Sequence, residues 1–124
     1  MNTHLHEHLG QSIVPARANG VKPPWAISLA APIQTLRVLA AARITHVVGI
    51  PDNASAPLFD SLSGSPSIEL VTVTREGEAF AIASGLWLGG AAPLVVIQNT
   101  GLLESGDSLR GTAIRMAAPI PILI

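Results

Sequence analysis

Cysteine is absent from the sequence, which excludes disulfides, zinc–thiolate centres and a cysteine nucleophile and is compatible with a reducing cytosol. Charge is scarce, at 12% of residues with a formal net charge of -1. Seven Lys and Arg against eight Asp and Glu produce no basic field, so nucleic acid is not an expected partner. No apolar stretch approaches the roughly 20 residues of a membrane-spanning helix, and the opening MNTHLHEHLGQ has no apolar signal core. The expectation is a cytoplasmic protein without a membrane partner. The Walker and dinucleotide types of glycine loop are missing as well, which argues against a flavodoxin-like nucleotide-binding domain.

What is present is apolar. Hydrophobic residues make up 48% of the 124, enough for one core rather than two. A surface so poor in charge is expected to be covered in part by another chain, because monomers seldom leave large apolar patches in water.

Residues 1–24, with His4, His6, His8 and Pro23-Pro24, show no sustained apolar period and are expected to form a flexible leader. Alternating histidines in such a leader fix no ligand geometry, so no metal site is expected there. Residues 25–124 read as the folded domain. Ile33, Leu36, Leu39 and Ala40 predict one face of a helix starting near Pro32 and ending around Arg43. The run from His46 to Ile50, closed by Pro51, suits a buried parallel strand. A short helix follows from Ser55 to Leu62, with Pro57 in its first turn and Leu58, Phe59 and Leu62 inward. Ile68 to Val73 is a second strand, Glu76 to Leu88 a long helix stopped by Gly89-Gly90, and Pro93 to Gln98 a third strand. Ser108 to Met116 predicts a helix and Ile120 to Ile124 a fourth strand. This alternation predicts the α/β class, with a parallel sheet and helices on both faces. The fourth strand has no following helix to cover it, so the sheet is expected to be truncated there, with an edge prone to self-association.

Ligands of such sheets bind beyond the carboxyl ends of the strands. Three polar turns lie there: Pro51-Asp52-Asn53, Thr74-Arg75-Glu76 and Gln98-Asn99-Thr100-Gly101. Each residue also has a plain structural role. Glu76 sits where a helix dipole favours a carboxylate. Asp52 suits an Asx-turn or helix cap as well as an acid, and Asn53 and Ser55 suit caps. Gln98 and Asn99 offer amides, and Gly101 permits close backbone approach. Arg75 and Arg110 suit surface ion pairs or the anionic tail of a substrate. Phe80 and Trp87 suit packing.

The stretch TREGEAFAIASGLWLGG, in which Glu76 precedes small residues and Gly85 stands nine positions on, resembles a helix of the thiamine diphosphate-dependent enzymes. GIPDNASAPLFDSL and LVVIQNTG resemble turns of the sulfopyruvate and phosphonopyruvate decarboxylases, in the same order, over roughly residues 33–124. The resemblance implies a pyrimidine-binding domain in which Glu76 meets N1' of the cofactor's aminopyrimidine and, through the tautomer it favours, allows thiazolium C2 to lose its proton. The cofactor is then the electron sink for decarboxylation of a small 2-oxoacid. It further implies Glu76 and Asp52 as catalytic residues and Glu76, Gln98, Asn99 and Gly101 as cofactor-binding, with no metal ligand in this chain. The sequence departs from the family at Gly101-Leu102-Leu103-Glu104, where a glycine-rich, asparagine-bearing turn is expected. It also carries no GDG-type motif followed by Asn. Magnesium and the diphosphate are therefore expected on a diphosphate-domain (beta-type) subunit, in a homo- or hetero-oligomer, with the isolated chain inactive and a weak binder of thiamine diphosphate. A non-catalytic α/β interaction module, or an inactive remnant of that family, is the alternative.

Overall fold

The computed structural model describes residues 30–124; His4, His6, His8 and Trp25 lie outside the described residues. Helix α1 (Ala30–Ala41) leads into β1 (His46–Gly49), α2 (Ala56–Ser63), β2 (Glu69–Thr72), α3 (Glu76–Leu88) and β3 (Pro93–Val96), followed by α4 (Asn99–Glu104), α5 (Gly106–Leu109), a π-helical segment (Arg110–Ile114) and β4 (Ile122–Leu123). The four strands form one sheet in the order β2-β1-β3-β4, parallel throughout. The predicted α/β class with helices on both faces is what the chain adopts.

Alternation along the central strands builds two cores, because successive side chains point to opposite faces. Val47, Leu94 and Val96 face Leu39, Leu58, Phe59 and Leu62 of α1 and α2. Val48, Val95 and Ile97 face Ala79, Phe80 and Ala83 of α3. All four residues of β3 are buried, whereas β2, at one edge, is half-exposed.

Helix α1 differs from its predicted face. Ile33 is 56% exposed and Ala40 is exposed, while Pro32 and Leu39 are buried and Leu36 packs partly against the core. Periodicity alone could not separate these registers, since apolar residues surround most of the helix. Its end is closed at Arg43, whose φ of 58° lets Ile44 N–H reach Leu39 O at 3.0 Å and Arg43 N–H reach Ala40 O at 3.0 Å, a left-handed C-terminal cap.

The region after β3 also differs. A single helix from Ser108 was predicted; helical structure instead begins at Asn99 and runs in three pieces to Ile114. Asn, Thr, Gly and Ser at positions 99–101 and 105 are poor helix formers, so contact with α3 overrides local preference. Ser108 Oγ donates to Gly77 O at 2.6 Å and ties α5 to the first turn of α3.

Gly49 ends β1 where the sheet is tightest. A Cβ there would lie 1.8 Å from Val96 O, so only glycine allows β1 and β3 to remain paired at their carboxyl ends.

Candidate functional site

The connection after β1 leads to β2 on one side, and the connection through α3 returns across β1 to β3 on the other. The crevice between the carboxyl ends of β1 and β3 is therefore the topological switch point where ligands of open α/β sheets bind. The turns after β1 and β3 open directly onto it, and the contact of Glu76 with Gln98 brings the first turn of α3 against the end of β3.

Two glutamates occupy the first turn of α3, and the structure divides their roles. Glu78 Oε2 accepts the Thr74 N–H at 2.9 Å, the Thr74 hydroxyl at 3.0 Å and the Arg75 N–H at 3.2 Å. It closes the helix start by reaching back to donors that have no partner within the helix. Those donors, the Thr74 backbone N–H foremost, hold the Glu78 carboxyl below its ordinary range. Glu76, half-buried, takes no part in this cap. Its Oε1 accepts the Gln98 side-chain amide at 3.2 Å, and its side chain lies across Gly101. A Cβ on Gly101 would stand 2.3 Å from Glu76 Cγ, 2.5 Å from Oε1 and 2.6 Å from Cδ. Glu76, Gln98 and Gly101 are thus brought together from two helices, 22 residues apart in sequence at the Gln98–Glu76 contact.

Asn99 and Asp52 stand apart from this cluster. Asn99 is exposed, with Oδ1 accepting the Thr100 N–H of its own helix at 2.9 Å. Asp52 Oδ1 accepts the Ala54 N–H at 2.8 Å, the Ser55 N–H at 2.7 Å and the Ser55 hydroxyl at 2.9 Å, and Ser55 Oγ accepts the Asp52 N–H at 2.9 Å. The Ser55 backbone donor is the largest influence lowering the Asp52 pKa, against an opposing effect of burial. Ser55 holds the N-cap position of α2, but its side chain makes no cap bond; Asp52 organises the turn. Asp52 also lines a cavity of about 240 Å³ beyond the ends of β3 and β4, with Pro32, Ser55, Leu58, Ile97 and Leu123.

Arg75 and Arg110 form ion pairs, Arg75 with Glu104 at 2.6 Å and Arg110 with Asp107 at 2.5 Å. Phe80 is fully buried and Trp87 half-buried. Gly85 is exposed, with nothing within 4 Å of a Cβ built on it.

Sequence reasoning missed the supports of the site. Ser105 Oγ donates to Gly101 O at 2.6 Å; the Gly-x-x-x-Ser spacing, a back-bond four residues along a helix, was the available signal. The Ser108 bond to Gly77 O crosses 31 residues and left no local signal.

Chemically, the cluster offers a half-buried carboxylate flanked by a neutral amide and glycine backbone. A carboxylate there can accept a hydrogen bond from a protonated ring nitrogen, which suits an aminopyrimidine. Among the described residues there is no group of three or more His, Asp or Glu placed to hold a metal ion, and no helix is long and apolar enough to cross a membrane.

The family described as "Thiamine pyrophosphate enzyme, N-terminal TPP binding domain" matches residues 34–124. Among curated relatives, the chain is 37% identical over 81 residues to the phosphonopyruvate decarboxylase of Streptomyces viridochromogenes, covering 65% of this chain and 20% of that protein. It is 29% identical over 83 residues to sulfopyruvate decarboxylase subunit alpha of Methanothermobacter thermautotrophicus, covering 67% of this chain and 50% of that subunit. Identity to the corresponding subunit of Methanococcus maripaludis is 30% over 81 residues, covering 65% and 47%. The match thus spans about a fifth of the Streptomyces protein and about half of the archaeal subunits.

Proposed function

The chain belongs to the thiamine pyrophosphate enzymes, through their N-terminal TPP-binding domain, and from that premise we propose that it is the pyrimidine-binding component of a thiamine diphosphate-dependent 2-oxoacid decarboxylase acting on a sulfopyruvate- or phosphonopyruvate-like substrate. The observation that carries the proposal is the placement of Glu76. It is the first-turn carboxylate not used as a helix cap, it stands over Gly101, and Gln98 orients it.

When bound, thiamine diphosphate would supply a nucleophilic C2 and an electron sink for the bonding pair left on the substrate's carbonyl carbon as carbon dioxide departs. Glu76 would hold the protonated N1' of the pyrimidine, a task that suits a carboxylate and that Lys or Arg could not perform. Gln98 and Gly101 flank Glu76, and Asn99, exposed at the start of α4, would join them once the cofactor is bound. Asp52, on the turn after β1, would serve the substrate end of the crevice in this reading. Its carboxylate, held ionised by the turn donors, is fitted to orient a proton on a substrate oxygen rather than to bind an anionic tail.

In this reading magnesium and the diphosphate belong to a diphosphate domain outside these 124 residues, on a beta-type subunit, as supported by the relatives named as alpha subunits. Such a subunit is also a fitting cover for exposed apolar residues, among them Leu103 at 81% and Leu88 at 68% exposure. Residues 25–124 constitute the pyrimidine domain in this reading, and the site is complete only in an oligomer, in the cytoplasm.

Glu76→Gln tests the proposal. In the chain assembled with a diphosphate-domain subunit, thiamine diphosphate and magnesium, it is expected to lower turnover by about 10²-fold or more, with the assembly intact by sedimentation. Unchanged turnover in the intact assembly would remove Glu76 from the mechanism.

A further inference from the structure

We propose that Gln98 acts on the cofactor through Glu76, as a positioning residue that fixes which oxygen the carboxylate presents, and is not itself a ligand of the pyrimidine; the proposal rests on the assignment of Glu76 to the cofactor ring. Gln98 occupies the N-cap position of α4 in an extended conformation, φ -72° and ψ 160°, and makes no side-chain cap bond to its own helix. At that position Ser, Thr, Asp or Asn would satisfy the helix's free N–H groups. Gln98 instead sends its amide nitrogen across to Glu76 Oε1 at 3.2 Å.

The other groups around Glu76 explain why an amide is suited to the task. The neighbouring cation, Arg75, is committed to Glu104 at 2.6 Å. An arginine turned onto Glu76 would engage both oxygens in a bidentate pair and offset the charge that a ring nitrogen would otherwise meet. A neutral amide offers a single bond to one oxygen, orients the carboxylate and leaves its charge uncompensated. On the opposite side, the absence of a side chain at Gly101 gives Glu76 Cγ and Cδ their place. The backbone beneath is pinned by Ser108 to Gly77 O and by Ser105 to Gly101 O. Backbone and glycine fix where the side chain lies, and Gln98 supplies the directed bond that sets its rotation. Oε1 belongs to Gln98, so Oε2 is the oxygen left to meet the ring.

A double-mutant cycle separates action through Glu76 from direct contact, because a residue that works only through another loses its effect when that other is changed. The full chain is assembled with a diphosphate-domain subunit and magnesium. The dissociation constant of thiamine diphosphate is measured by calorimetry, and the tautomeric state of the bound aminopyrimidine by near-ultraviolet circular dichroism. Gln98→Met, close in length but without a donor, is expected to weaken binding about tenfold and to diminish the dichroic band. In a Glu76→Gln background it is expected to change neither further. Gln98→Asn, which keeps the amide but withdraws it by one methylene, is expected to behave as Gln98→Met and guards against misfolding of the methionine variant. Equal losses in both backgrounds would show direct contact and overturn the proposal. Wild-type behaviour of Gln98→Asn or Gln98→Met would also overturn it. If Glu76→Gln alone matched wild type in both readouts, the assignment of Glu76 itself would fail, and the positioning role with it.

Discussion

Gly101→Ala is the sharpest perturbation of the site, because it separates the position of Glu76 from the stability of the fold. The added Cβ would stand 2.3 Å from Glu76 Cγ, and ordinary contact begins at 3.4 Å, so the side chain must withdraw by about 1 Å. It has an open side on which to do so, being only half-buried. Losing the Gln98 bond destabilises by about 1 kcal/mol, and an off-rotamer Glu76 by about 1 kcal/mol more. Against this, alanine is favoured over glycine in a helix by about 0.8 kcal/mol, leaving a net loss of about 1 kcal/mol. Displacing a reacting group by about 1 Å lowers turnover by about 10²-fold. The variant is therefore expected to unfold in urea close to wild type while losing most of its turnover in the assembled enzyme. Full turnover would show that Glu76 does not work from this pose. A stability loss above about 3 kcal/mol would show that α3 and α4 are locked together and that the side chain cannot yield.

Gly49→Ala should behave in the opposite way: its Cβ meets Val96 O at 1.8 Å, a backbone atom that cannot move aside, so a loss of about 3 kcal/mol or more is expected in urea titration. Ser84 Oγ on α3 is buried without a hydrogen-bond partner among the described residues, and Ser84→Ala is expected to stabilise by about 1 kcal/mol, raising the thermal midpoint. Asp52→Ala removes the acceptor of three donors and is expected to destabilise by about 1 kcal/mol at neutral pH. Since the folded pKa of Asp52 lies below the ordinary 3.8, this contribution is present above 3.8 and lost as pH falls through the lower folded value; the gap between wild type and variant should therefore close in denaturation series carried below pH 3.8.

The β-branched run before Pro51, the alternation of strand and helix, and Glu76 at the head of an alanine-rich helix were legible from the sequence, because short-range periodicity and turn chemistry encode them. The bounds of α3 fell on the predicted residues for that reason. Strand order was not legible: parallel strands pair across long connections, and nothing local states that β1 lies between β2 and β3. The burial of Leu39 rather than Ile33, and the helix beginning at Asn99, were decided by packing, which outweighs propensities of a few tenths of a kcal/mol per residue. The division of labour between Glu76 and Glu78 was tertiary only in part, since Glu78 caps donors three and four residues away and the Gly85 spacing had already singled out Glu76. What only the fold supplied was the setting of Glu76, against which it brings Gln98 and Gly101. The sequence by itself determined which residue types stood at the strand ends; tertiary structure decided which of them meet, because a hydrogen bond spanning 22 residues exists only once the sheet has placed its two ends.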